Sequence, residues 1–279
     1  MSSYLRKLGA KVDLGAVAQG VGNFLGGSGE EMDDGGVEEL LERISDGVLA
    51  DDRRSAMNEI RIRVSESPQA QLALGAIGLP VLINVLKEER EDVEMVRGAL
   101  ESLYNAMATE LDNSVVSGIS PCKVNADLFA REKGYVQLLL SLLEEEDFYV
   151  RYHTVQLMTE IISKAPQGCL QEAILASPMG VSRLMDMMNE REVIRNQTLL
   201  LLSSLSSSHA NEEIKKIVVF EGAFERLFHI IKEEGAADGG IVVQDCLELM
   251  SNLLRDNSSN QVFFRESSFL AGVPSLLKL

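Results

Sequence analysis

Cysteine and basic residues are both scarce in this sequence. The three cysteines are widely separated, at positions 122, 169 and 246. An odd and scattered set gives no closed disulfide framework, which indicates a reducing, cytosolic setting. Lysine and arginine number 26 against 43 aspartates and glutamates, so the formal charge is −17. A surface of that sign repels phosphate backbones, which argues against nucleic acid as a partner and favours a protein with a basic patch.

Signals for membrane insertion and for catalysis are also missing. The first eleven residues carry charge but lack the apolar stretch and cleavage site of a secretory signal, and no run of 18 apolar residues is found. Any membrane association is therefore expected to be peripheral. No nucleophile elbow, Walker A loop, zinc spacing or EF-hand loop is present. The sequence predicts no enzyme, no cofactor and no metal site.

Two regions differ in composition. Residues 1–36 are rich in glycine and serine and predict a flexible N-terminal arm. An alternative for part of this arm is an amphipathic helix on a membrane or partner. From Val37 onward, apolar residues recur three and four positions apart, as in Leu40, Leu41 and Ile44, which is the period of an amphipathic helix.

An internal repeat determines the predicted architecture. Five segments share a small residue followed four positions later by leucine, and they begin at Gly78, Gly134, Gly180, Ala223 and Gly272. Their starts are separated by 56, 46, 43 and 49 residues. Armadillo and HEAT repeats have a period of roughly 40 to 47 residues. The sequence therefore predicts an all-α, armadillo/HEAT-like helical repeat solenoid over residues 37–279.

Each repeat is predicted to contain two helices joined by an acidic turn. The second helix opens with a β-branched residue and a polar one: Val96-Arg97, Val150-Arg151, Ile194-Arg195 and Val243-Gln244. A shorter copy is expected from residue 37 to 75, with its second helix opening at residues 51–54. Residues 109–132 are predicted to be a loop insertion. The last repeat is expected to be truncated at residue 279, because only its first helix is present. The six prolines are placed at helix starts or in connectors.

Several segments resemble the globular head of the general vesicular transport factor family, the golgin-type tethers that include the plant golgin candidates. They are SLLEEEDFYVR (141–151), SPMGVSRLM (177–185), REVIRN (191–196), IVVFEGAFERL (217–227), DGGIVVQDCL (238–247) and NSSNQVFFR (257–265). The resemblance implies a cytoplasmic protein, peripheral on Golgi membranes and transport vesicles, that acts in ER-to-Golgi and intra-Golgi transport. It further implies Rab GTPases, SNAREs and tethering-complex proteins as partners, and a homodimeric coiled coil that this sequence lacks.

Four polar residues are the candidate protein-binding site. Arg151, Arg195 and Asn196 lie on predicted second helices, which line the binding surface in many solenoids, and Arg183 lies nearby. The alternative is that these arginines only bond helix ends or neighbouring carboxylates. A second functional hypothesis is a general armadillo-type cargo or peptide adaptor in the cytosol. It predicts a continuous asparagine ladder, which the repeats show only at Asn105 and Asn196.

Overall fold

The computed structural model describes residues 36–108, 120–207 and 212–276, and no strand is found within them. The predicted all-α, armadillo-like fold is confirmed. Sixteen α-helices run through the described part of the chain: α1 Val37–Asp46, α2 Ala50–Glu66, α3 Pro68–Ala73, α4 Leu79–Glu88, α5 Val93–Ala108, α6 Pro121–Arg131, α7 Lys133–Leu142, α8 Phe148–Lys164, α9 Cys169–Leu175, α10 Gly180–Asp186, α11 Glu192–Ser206, α12 Glu212–Phe220, α13 Ala223–Glu233, α14 Ile241–Leu254, α15 Ser258–Glu266 and α16 Phe269–Leu276. A π-helical turn, Leu74–Gly78, joins α3 to α4, and 3-10 turns follow α10 and α13.

The chain divides into two compact units between Phe129 and Ala130. In the first unit, α2 packs against α1 and α5, and α4 packs against α5. In the second unit, α8 packs against α11 and α11 against α14, so these long helices form one layer, which we call the second-helix layer. Helices α7, α12, α13 and α15 pack directly against it, and α9, α10 and α16 pack against these helices. Each unit buries its own apolar core of mainly Leu, Ile, Val, Met and Ala side chains.

Each repeat has a third, short helix that the sequence analysis did not predict. Helices α3, α9, α12 and α15 precede the predicted first helices, and α6 lies within the predicted loop 109–132. The loop prediction is therefore wrong for residues 121–131, and residues 109–119 lie outside the described part. The physical reason is burial: Cys122, Ala126, Phe129 and Ala130 face the core at helical spacing. Small polar residues directly before this helix favoured a loop prediction over the helical spacing of its apolar residues.

The predicted starts of the first helices and the predicted positions of the prolines are confirmed in four repeats and are wrong in the last one. Helices α4, α7, α10 and α13 begin within one residue of the predicted positions. The last of these follows Gly222, whose φ of +85° suits a residue without Cβ. In contrast, α16 begins at Phe269, three residues before Gly272, and Pro274 lies inside it. Phe269 starts the helix early because its ring packs against Phe224 and Phe228, with ring centroids 5.6 Å away in both cases.

One segment is apolar and long enough to cross a membrane by composition. It is the continuous helical stretch Pro68–Glu88, of 21 residues, and 67% of its most apolar window is buried within the protein. The expectation that no such run occurs is therefore wrong for this segment. Its side chains pack against α1, α2 and α5, as those of a core helix do.

The methionine-rich stretch on and around α10 belongs mainly to the core. Met185, Met187 and Met188 are buried, whereas Met179 is exposed at the N-terminal cap of α10 with a φ of 58°. The predicted arm up to residue 35, with its alternative amphipathic helix, lies outside the described residues. So do residues 277–279, where the last repeat was expected to be truncated.

Candidate protein-binding face

The second-helix layer is held together by polar bonds between its helices. The Gln197 amide on α11 donates to the Thr159 hydroxyl on α8 at 3.2 Å. On the other side of α11, the Asn252 amide on α14 donates to the Ser203 hydroxyl at 3.0 Å. Each bond joins consecutive repeats, so the polar side chains of the layer are fixed before any partner arrives.

An arginine–glutamate link recurs between consecutive repeats. Arg151 contacts Glu190 at 3.1 Å, and Arg195 contacts Glu234 at 2.5 Å. In both links the arginine lies four residues after the N-terminal cap of a second helix. Each glutamate is the C-terminal cap of the first helix of the next repeat. Glu190 caps the 3-10 turn that follows α10, and Glu234 caps α13. In the first unit Arg53 and Glu89 form the same link. These arginine side chains are largely buried, and charge-assisted pairs of this kind fix the spacing of neighbouring repeats.

The structure corrects one repeat in the predicted register. Asp92 and Asp147 cap α5 and α8 in the same way, each accepting a backbone N–H three residues later. Four residues after these caps lie Val96 and Arg151 respectively. The equivalent of Arg151 in α5 is therefore Val96, and the predicted match with Arg97 is wrong by one position. The helical cap determines the register here, because the apolar pattern alone fits either alignment.

The four candidate residues occupy three different places. Arg195 and Asn196 are joined, since Arg195 Nε donates to Asn196 Oδ1 at 3.0 Å. Arg151 lies one repeat earlier in the same layer. Arg183 lies on α10, outside the layer, where its Nε contacts Glu144 Oε1 at 2.7 Å. All three arginines thus pair with carboxylates of a neighbouring repeat, as the alternative reading of these residues expected.

An aromatic patch on α8 was missed by the sequence analysis. Phe148 stacks on Tyr152 with centroids 6.0 Å apart, and Tyr149 stacks on His153 at 6.3 Å. Tyr149 is 50% exposed, and Val193, in the first turn of α11, is 52% exposed. Aromatic residues spaced four apart on an exposed helix face were a readable signal in the sequence. Tyrosine and phenylalanine are enriched at protein interfaces, so this patch is a candidate contact surface of the layer.

Both asparagines expected to form a ladder make hydrogen bonds within the protein, Asn105 through its NH₂ group and Asn196 through its oxygen. Asn105 Nδ2 donates to the Arg61 carbonyl at 3.2 Å, and Asn196 accepts from Arg195. A peptide-binding ladder needs amides that face outward and remain free for a ligand backbone. Within residues 36–108, 120–207 and 212–276, no group of three His, Cys, Asp or Glu side chains is placed to hold a metal ion.

Three-helix repeats, a polar-bonded second-helix layer and an exposed aromatic patch define an armadillo-like repeat scaffold. No protein-family model matches the chain. Comparison with the sequences of known proteins is more specific, because the chain is homologous to the general vesicular transport factors. Golgin candidate 6 of Arabidopsis thaliana is 52% identical over 240 residues, which cover 85% of this chain and 26% of that protein. Human general vesicular transport factor p115 is 44% identical over 241 residues, covering 84% of this chain and 24% of that protein.

A solved structure agrees with the sequence comparisons. The crystal structure of Uso1-2 matches with a TM-score of 0.76 and 28% identity, covering 90% of this chain and 40% of that one. The fission yeast intracellular protein transport protein uso1 is 33% identical over 244 residues, which cover 87% of this chain and 22% of that protein. The chain therefore spans about a quarter of the length of the curated relatives it matches.

Proposed function

We propose that this chain is the head of a vesicle-tethering factor and acts as a protein-interaction scaffold in ER-to-Golgi and intra-Golgi transport. Two observations support the proposal: homology to vesicular transport factors along most of the chain, and a rigid second-helix layer that carries an exposed aromatic patch. The proposed action is non-catalytic. The scaffold presents preformed helix faces to partner proteins and binds them without covalent chemistry or a cofactor.

The proposed binding face centres on the aromatic patch of α8. Tyr149 supplies exposed aromatic area, and Asn196 is proposed as a polar contact of the same layer. Arg183 is proposed as a separate polar contact on α10, outside the layer. We assign Arg151 and Arg195 to the same face, where they hold consecutive repeats in position through their glutamate links. Interfaces of this type combine buried aromatic anchors with a polar rim.

The proposed partners are a Rab GTPase and SNARE or tethering-complex proteins, on the cytoplasmic surface of Golgi membranes and transport vesicles. Membrane association is proposed to be peripheral and mediated by these partners. In the full-length protein we propose that a coiled coil joins two heads as a homodimer, so that one molecule bridges two membranes.

The test is affinity capture from a detergent extract of Golgi-enriched membranes, with the 279-residue chain as bait. Tyr149→Ser removes the exposed aromatic ring, and Phe220→Ser is its matched control, because Phe220 is an exposed aromatic on α12, away from the patch. We expect wild type and Phe220→Ser to capture a Rab or SNARE and Tyr149→Ser to lose it.

The role of Arg195 needs a separate pair of variants. Arg195→Glu breaks the link to Glu234, whereas the exchange Arg195→Glu with Glu234→Arg restores an ion pair with reversed charges. Capture that returns in the exchange variant assigns Arg195 a positioning role, and continued loss with restored stability assigns it a direct contact. The proposal is overturned if wild type captures no transport component, or if Tyr149→Ser captures as much as wild type.

A further inference from the structure

A polar cleft of about 420 Å³ opens in the second unit, at the C-terminal ends of α8 and α11. Ligand sites commonly have volumes of roughly 300–1,000 Å³. Its lining is hydroxyl, carboxamide and carboxylate, with one aliphatic wall: Ile162, Ser163, Ala165, Gln167, Gln171, Ser203, Ser204, Ser207 and Glu248. No lysine, arginine or histidine is among these residues.

Gln171 is the most unusual member of the lining. The residue is 7% exposed and lines the cleft from α9, and its amide forms no hydrogen bond with another part of the described chain. Its amide is not one of the described side-chain groups that are buried without a partner, so it remains accessible from the cleft. The Gln171 carboxamide therefore presents an acceptor oxygen to a ligand in the cleft.

The electrostatics of the cleft favour a cation. Glu248 forms no ion pair with any described residue, and its charge contributes to raising the pKa of Asp245, after the larger effect of burial. The nearest lysine on α8, Lys164, is paired with Glu160. Residues of the last turns of both α8 and α11 line the cleft, and helix C-termini carry partial negative charge. The cleft thus has one carboxylate in its lining, Glu248, and the C-terminal end of α11 has no basic residue in its last turn, whereas α8 carries Lys164 there.

We propose that this cleft binds an arginine side chain of a partner protein. A guanidinium presents five N–H donors in one plane and requires several acceptors around it. The Glu248 carboxylate, the Gln171 carbonyl oxygen and the Ser204 hydroxyl oxygen provide them. Ile162 supplies an apolar surface for the methylene stem. The formal charge of −17 on the whole chain attracts a basic segment toward this surface.

The arginine site goes beyond the tethering role and stands independently of it. It concerns the ends of α8 and α11, whereas the aromatic patch lies in the first turns of α8. Direct titration of the purified chain with a peptide tests it, so failure of the capture experiment leaves the arginine site standing.

The experiment is an NMR titration of the ¹⁵N-labelled 279-residue chain with the peptide acetyl-Gly-Arg-Gly-amide. The readout is the side-chain NH₂ signal of Gln171, assigned by its absence in Gln171→Leu. Acetyl-Gly-citrulline-Gly-amide is the neutral isostere, and acetyl-Gly-Lys-Gly-amide tests the need for a planar donor group. Glu248→Gln removes the carboxylate charge, and Glu213→Gln is its matched control on α12, outside the cleft.

We expect saturable shifts of the Gln171 signal with the arginine peptide, weakened about tenfold in Glu248→Gln and unchanged in Glu213→Gln. The citrulline and lysine peptides should bind more weakly than the arginine peptide. The proposal is overturned by shifts that do not saturate, by equal affinity for the citrulline peptide, or by full affinity in Glu248→Gln. Equal affinity for the lysine peptide would overturn the assignment to arginine.

Discussion

Gly75 lies directly against the side-chain oxygen of Asn125. A Cβ at Gly75 would overlap Asn125 Oδ1, well under the 3.0 Å that real Cβ contacts respect. The Asn125 amide donates to the carbonyls of Gln71 at 2.9 Å and Ala106 at 3.1 Å. It therefore ties the short helix α6 to α3 and α5. The π-helical turn places a glycine where this buried asparagine needs space.

The second unit contains the same arrangement three repeats later, on the short helix α15. Asn260 on α15 donates to the carbonyls of Lys215 at 3.1 Å and Leu253 at 2.9 Å. The bonded elements are again the preceding short helix and the end of a second helix. Buried amides that bridge backbone carbonyls at equivalent places satisfy helix ends and fix how one repeat stacks on the next.

Gly75→Ala is expected to destabilise the protein by about 2–4 kcal/mol, because the added methyl group displaces Asn125 and its two hydrogen bonds. Urea unfolding followed by circular dichroism measures the loss. Gly134→Ala is the control: nothing lies within 4 Å of its Cβ position, and alanine favours the helix, so a gain of up to about 1 kcal/mol is expected. Equal stabilities of Gly75→Ala and wild type would refute the steric argument.

A double-mutant cycle tests whether Gly75 and Asn125 act together. Asn125→Ala alone should also destabilise, since the carbonyls of Gln71 and Ala106 lose their donor. In that background the Gly75→Ala change should cost at least about 1 kcal/mol less than in wild type. Additive losses in the cycle would show that the glycine is needed for another reason.

Arg195→Ala is expected to lower the free energy of unfolding by about 1–3 kcal/mol, because Glu234 then loses its partner in a largely buried link. Arg183→Ala should cost less than about 1 kcal/mol, since its partner Glu144 is largely exposed. Thermal and urea unfolding of both variants provide the comparison. The reverse order of effects would contradict the assignment of Arg195 to repeat spacing.

Cys246 is expected to resist thiol reagents in the folded protein. Burial raises the pKa of this thiol to about 12, and Arg195 opposes the shift only in part. The reactive thiolate is then a fraction on the order of 10⁻⁴ at pH 8. Labelling with a maleimide and mass spectrometry should modify the half-buried Cys169 first. Labelling of Cys246 at the rate of Cys169 in native buffer would contradict this.

Lys215 should make stability depend on pH in the alkaline range. Its side chain is 3% exposed and donates to the Arg255 carbonyl at 3.1 Å, and burial lowers the pKa of its ammonium below 10.5. The folded state then loses this proton before the unfolded state does, so stability rises with pH between the folded pKa and 10.5. Below that window the unfavourable contribution of the buried charge is fully present.

The measurement compares wild type with Lys215→Met across that window. Wild type should gain stability relative to the variant as the pH approaches 10.5, and the matched change Lys216→Met, on the exposed side of α12, should show no such slope. A constant difference between wild type and Lys215→Met at all pH values would show that the ammonium is not perturbed by burial.

Local sequence was sufficient for the helical repeat and for most helix starts. Gly180 and Ala223 mark first helices because apolar spacing and turn residues act within a few positions of the chain. The resemblance to vesicular transport factors also followed from the sequence, since long segments such as residues 141–151 are specific. The short helix α6 was not predicted because the small polar residues that precede it resemble a loop. Its buried residues, Cys122, Ala126 and Phe129, are too few to give a clear helical period.

Tertiary structure alone decided which polar residues hold repeats together and which face outward. Arg195 and Arg183 were predicted together as one binding site, yet one is buried against Glu234 and the other pairs near the surface with Glu144. Gln171 became a candidate ligand group only when packing brought it to the same cleft as Glu248, which lies on α14. Helical periodicity depends on neighbours three and four residues apart, so the sequence carries it directly. Partners about 40 residues or more apart depend on how the repeats stack, which is settled by the packing of the whole layer.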